Sequence, residues 1–155
     1  MYALYKFLHV LGVILLVGNV TVTSVWKVFA DRSGAPATIA FAQRLVTGTD
    51  WAFTGGGALL VMVGGYGMVL ESGLAPFGTG WMLWSQVAFL VSGILWLAVL
   101  LPIQVRQARL TRRHAADRAM PGAYRALSRR WLVWGVTATV PLAAALWMML
   151  AKAPR

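Results

Sequence analysis

Four stretches of this sequence run about twenty residues each without a Lys, Arg, Asp or Glu. They are Phe7 to Val25 (19 residues), Ala52 to Leu70 (19), Trp81 to Leu101 (21) and Trp131 to Leu150 (20). An apolar helix of about 20 residues crosses a hydrocarbon core of about 30 Å. Inside lipid each backbone N–H and C=O must be satisfied within the protein, so each stretch must be helical. The fold class is therefore an all-α membrane protein, a bundle of four transmembrane helices forming one integral membrane domain over residues 1–155. Only 12% of the residues are charged, about half the share of a soluble domain, so the lipid bilayer must cover much of the surface. Tyr2, Tyr5, Trp26, Trp51, Trp81, Trp131 and Trp147 stand near span ends, where interfacial aromatics belong.

The charges that do occur are placed asymmetrically. Residues 102–130 hold eight arginines (106, 109, 112, 113, 118, 125, 129 and 130), and residues 26–50 hold Lys27, Arg32 and Arg44. Lys6, Lys152 and Arg155 lie on the other side of the spans, while residues 71–80 hold no positive charge. Eleven positives against three place both long loops inside and both termini in the periplasm of a bacterial inner membrane. The arginines read as topology and lipid-headgroup residues. No nucleic-acid motif accompanies the net charge of +10, so no nucleic-acid partner is expected. Lys6 precedes an apolar run, but no small-x-small cleavage site follows, so the first segment reads as a retained helix.

Within the first long loop, Ile39, Phe41, Ala42, Leu45 and Val46 suggest a short interfacial helix over residues 36–47. Asp50 reads as an N-cap of the second span. Helix from the third span is expected to continue to about Arg118. Pro121-Gly122 reads as a break, the fourth helix is expected from about Tyr124, and Pro141 is expected to kink it. The last four residues are expected to fray.

Chemistry is tightly bounded. There is no cysteine, and the two histidines are His9 and His114. Thiolate metal sites, disulfides and cysteine nucleophiles are excluded. No Ser-His-Asp set, phosphate loop or acidic pair lies in the spans, which speaks against hydrolysis and phosphoryl transfer. His9, Gly12, Leu16, Asn19 and Thr23 share one face of the first helix, and such a polar stripe should face the bundle. His9 is either an imidazole hydrogen-bonded across helices or an axial haem ligand, with Gly12 leaving room for a flat ring. Met68, Met82, Met148 and Met149 fall at the same depth as His9, so a copper site using His9 and these thioethers is an alternative, as is simple packing by methionine. Lys6 is a candidate partner for a haem propionate, and Arg44 for a propionate or another carboxylate. The glycines at 55, 56, 57, 64, 65 and 67 suit close helix packing.

The opening Leu4-Tyr5-Lys6-Phe7-Leu8-His9-Val10-Leu11-Gly12 resembles the first helix of the CopD/HemJ-like superfamily. Gln43-Arg44-Leu45, then Thr54 and a glycine-rich helix, and Gly80-Trp81 opening the third span, extend the resemblance over about the whole chain. The best match within that group is an uncharacterised family of four-helix bacterial membrane proteins. The resemblance implies the fold and a haem-related role for His9. Ser85 stands where the oxidase members carry a lysine, and Gly55 where they carry a proline, so it does not imply protoporphyrinogen oxidation. The resulting expectation is a b-type haem protein with a redox or haem-associated role, as a homo-oligomer or a subunit of a larger respiratory assembly. The rival expectations are a non-catalytic accessory subunit and a copper-handling protein.

Overall fold

The computed structural model describes residues 1–151. Lys152, Arg155 and the expected fraying of the last four residues lie outside the described residues. Among those described, there are no strands. The helices are α1 (Tyr2–Ser33), α2 (Pro36–Thr49), α3 (Gly56–Ser72), α4 (Gly80–Leu95), α5 (Leu101–His114) and α6 (Gly122–Ala151). A π-helical segment, Asp50–Gly55, joins α2 to α3, and a second, Trp96–Leu100, joins α4 to α5. The chain thus forms four continuous rods, 2–33, 36–72, 80–114 and 122–151, each long and apolar enough to cross a membrane.

The ends of the rods follow from local chemistry. Gly34 (φ 68°) and Gly73 (φ 66°) close α1 and α3 in the left-handed conformation that side chains other than glycine rarely adopt. Pro36 opens α2 at a position where its missing N–H costs nothing. Pro102 stands in the first turn of α5, two residues past the end of the second π segment. Lacking an N–H, it cannot bond the carbonyl four residues back, and the helix widens there instead of breaking. Helix α6 passes through Pro141 unbroken. Ser92 on α4 donates to the Ala138 carbonyl (2.8 Å) just before that proline, adding a bond where the ladder is weakened.

Four expectations change. Asp50 does not cap a helix: the chain is helical on both sides of it, and its carboxylate is turned inward. The helix expected over 36–47 forms, but it runs to Thr49 and continues through the π segment into α3. Ile39, Ala40, Ala42, Gln43 and Val46 are buried against α1 and α5, while Phe41, Arg44 and Leu45 face out. The third rod ends at His114, slightly before the expected position, and α6 begins at Gly122, just after Pro121.

Helices α1 and α3 pack along one another, as do α4 and α6. At the end that holds Met1 and Ala151, the two pairs meet through side chains, with Tyr66 Oη donating to Gln86 Oε1 (2.7 Å). At the arginine-rich end the pairs are joined by α2 on α5. There Val46, Leu100, Trp131 and Ala138 form one apolar cluster, and Ile39, Met120 and Tyr124 a second. Most of the other large apolar side chains point outward, as lipid requires, with Leu16 and Met82 buried between helices.

Candidate functional site

The α1–α3 contact is built on glycine. A Cβ on Gly12 would stand 2.7 Å from the Gly57 carbonyl oxygen and from the Val61 nitrogen. One on Gly64 would stand 2.4 Å from the His9 nitrogen. The backbones are therefore close enough that the recess left by Gly12 receives α3 itself, not a flat ring. On this surface His9 is half-buried, and its Nδ1 lies 2.8 Å from the Val61 carbonyl oxygen. A carbonyl only accepts, so the neutral ring carries its proton on Nδ1, and Nε2 keeps its lone pair. A Cβ on Gly65 would press on the ring at 3.2 Å, so that glycine makes room for the imidazole.

The other candidates divide among separate places. Lys6 is exposed, one turn from His9. Met68 lies half-buried on α3, in the same helix pair as His9. Met82, which is buried, and Met148 and Met149, half-buried, stand on α4 and α6 in the other pair. Asn19 lies ten residues past His9, about 15 Å along α1, and Arg44 is exposed on α2 beyond that level. Arg44 and His9 are thus too far apart to grip opposite sides of one small group. Among the described residues, no group of three His, Asp or Glu side chains is placed to hold a metal ion.

The arginine-rich half holds two polar networks that simple reading of the loops misses. In the first, Asp50 is 94% shielded: its relative exposure is 6%. Its Oδ1 accepts from Asn19 Nδ2 (2.8 Å) and Thr54 Oγ1 (3.3 Å), and its Oδ2 accepts from Gln104 Nε2. Three rods converge on one carboxylate: α1, the first π segment and α5. The two π segments also touch, with the Trp51 and Trp96 rings edge to face at 6.0 Å. In the second network, Lys27, with 1% exposure, donates to Asp31 Oδ2 (3.0 Å) and to the Tyr124 hydroxyl oxygen (3.0 Å). Tyr124 donates to Asp31 Oδ1 (2.6 Å), and Ser128 donates to Asp31 Oδ2. The Lys27 ammonium also stands 5.2 Å from the Tyr124 ring centre and 5.3 Å from that of Trp131, within cation–π reach. The signal for both was present: Asn19, Thr23, Lys27 and Asp31 recur every four residues and continue the stripe that begins at His9.

A four-rod, all-helical chain with lipid-facing apolar surfaces and buried polar networks is the architecture of an integral membrane protein. A family model described as "Predicted integral membrane protein (DUF2269)" matches residues 3–153. The chain belongs to that family. No curated protein and no solved structure matches it. The match covers all four rods, so the polar networks and His9 all lie within the region that defines the family.

Proposed function

We propose that this protein binds b-type haem through His9 and serves a redox or haem-associated role in the bacterial inner membrane, as a homo-oligomer or as a subunit of a larger assembly. The observation that carries the reading is the committed imidazole: Nδ1 donates to the Val61 carbonyl, which fixes the ring and leaves Nε2 as a ligand. Metal-bound histidines commonly have this second hydrogen bond. The CopD/HemJ-like resemblance of the first helix supports the same residue. The fit is through Nε2 and not through the recess at Gly12. Haem would supply one-electron chemistry. This chain's part is to orient the ligand and exclude water, with Lys6 available to pair a propionate.

His9 is the one histidine within the spans, so a second axial ligand is a methionine, water, or His9 of a second copy across a two-fold axis. The absorption spectrum of the purified protein tests the reading. A Soret band that His9→Ala abolishes and Lys6→Ala only weakens is the expected result. Full stoichiometric haem in His9→Ala refutes it. Copper by elemental analysis with no Soret band favours copper handling instead.

One observation favours a second reading, a non-catalytic accessory subunit. The hydrogen bond from His9 to Val61 and the glycine contacts around it already account for His9 and Gly12 as packing residues. Neither haem nor copper in the purified protein is the result that selects it.

The membrane orientation rests on charge. Eleven positive residues against three assign the arginine-rich end to the cytoplasm and both termini to the periplasm. A reporter active only in the periplasm should be silent at residue 112 and active when fused after the C-terminus. Activity at residue 112 reverses the assignment.

A further inference from the structure

Asp50 poses a charge problem. Its carboxylate is almost fully buried, and its three partners, Asn19, Thr54 and Gln104, are all neutral. Among the described residues, no Lys, Arg or His nitrogen lies within ion-pair distance of it; the three ion pairs involve Glu71, Asp31 and Asp117. Hydrogen bonds from neutral donors solvate a carboxylate but do not cancel its charge, and an uncompensated charge in a low-dielectric interior is costly. Lys27 is not available, because it is held by Asp31.

The surroundings hold unused acceptors. Gln104 is 99% shielded, and while its Nε2 holds Asp50, its Oε1 has no hydrogen-bond partner. Gln43 and Gln107 are equally buried, and neither end of either amide is partnered. Gln107 follows Gln104 by one turn, and Gln43 precedes Asp50 by two turns, so all lie on the faces that α2 and α5 turn toward each other. Buried polar groups are nearly always satisfied. The Gln104 oxygen, buried and unpartnered on the side chain that holds an uncompensated carboxylate, therefore points to something positive there, and the Gln43 and Gln107 amides one to two turns away leave the neighbourhood polar.

We propose that Asp50 is the charged centre of a buried site for a monovalent metal cation of the sodium type, with the Gln104 amide oxygen and the Thr54 hydroxyl as neutral oxygen ligands. One carboxylate matches one positive charge, so the loaded site is neutral. A divalent ion would leave a net charge in the interior, and calcium sites are generally built from several carboxylates. The donors are hard oxygens, which suit such a cation and not a soft metal. The two π segments that meet here are of the kind found at functional sites.

The test uses the full chain, purified in lipid nanodiscs and melted in sodium chloride or in choline chloride of equal ionic strength. Sodium binding to the folded state should raise the melting temperature saturably, by about 5 °C or more at sodium well above its dissociation constant. Asp50→Asn, which keeps the size of the side chain and removes its charge, should melt at one temperature in both salts. Thr54→Val keeps the carboxylate and should need roughly tenfold more sodium for the same rise. Equal melting of the unaltered protein in both salts overturns the proposal and leaves Asp50 either protonated or simply hydrogen-bonded. An undiminished sodium response in Thr54→Val together with one in Asp50→Asn overturns it as well. If Asp50→Asn does not fold, the wild-type comparison and Thr54→Val decide: an unchanged sodium requirement in Thr54→Val counts against the site.

Discussion

Asp31→Ala should destabilise the protein by about 3–5 kcal/mol, the usual cost of removing one partner from a buried ion pair. Asp31 is the hub of the second network: it takes bonds from Lys27, Tyr124 and Ser128, and so ties α1 to α6. Without it, Lys27 is left in a site with 1% exposure, with two aromatic rings and hydroxyls but no opposite charge. A loss of that size is a third or more of the stability of many domains. Tyr124→Phe should cost less, about 2 kcal/mol, because the hydroxyl bonds are lost while the ion pair survives. The double variant Asp31→Ala with Lys27→Met discriminates. If the penalty comes from an orphaned charge, removing that charge as well should restore much of the stability. Melting of the four proteins in one detergent or nanodisc preparation measures this. A double variant as unstable as the sum of its single changes would show that the network acts through packing and not through charge.

Gly64→Leu should be the most damaging single change in the α1–α3 contact. A Cβ at this position already falls 2.4 Å from the His9 nitrogen, 2.5 Å from the Tyr5 carbonyl oxygen and 2.8 Å from the His9 Cα. These are backbone atoms and cannot rotate away, so the helices must separate. The cost should be about 3 kcal/mol or more, the upper part of the range for overpacked interiors, and even Gly64→Ala should lower the melting temperature. Gly93→Ala is the control: nothing stands within 4 Å of its Cβ position. It should be neutral or raise stability by about 0.5–1 kcal/mol through helix propensity. Size-exclusion profiles and melting curves report both. A Gly64→Leu protein that stays monodisperse with unchanged melting would contradict the close approach of these helices.

How much of this was readable beforehand depends on the range of the interaction involved. The four spans follow from charge-free length, a property of each segment alone. Their true ends do not, because hydropathy reports what surrounds a helix and not whether the backbone is helical. Charged residues such as Lys27, Asp31 and Arg32 continue the first rod to Ser33 without a break. Asp50 before an apolar run suits a cap equally well on local grounds. Its partners Asn19 and Gln104 lie 31 and 54 positions away, and those decide its role. His9 was legible as part of a stripe, but its partner is a backbone carbonyl, which every residue possesses and no side-chain pattern marks. Lys27 was visible as a positive charge and counted only toward orientation, although its spacing from Asp31 is that of a helical ion pair.

The Lys27 network also bears on the order in which the chain can assemble. Lys27 and Asp31 are four residues apart, so they can pair as soon as α1 is helical. Tyr124 and Ser128 come 97 and 101 residues after Lys27. At usual rates of synthesis the first of them emerges roughly 5–20 s later. During that interval the two charges travel as a neutralised pair on one helix. The aromatic and hydroxyl groups that enclose them arrive only with the last rod, so this part of the interior cannot close until that rod is made.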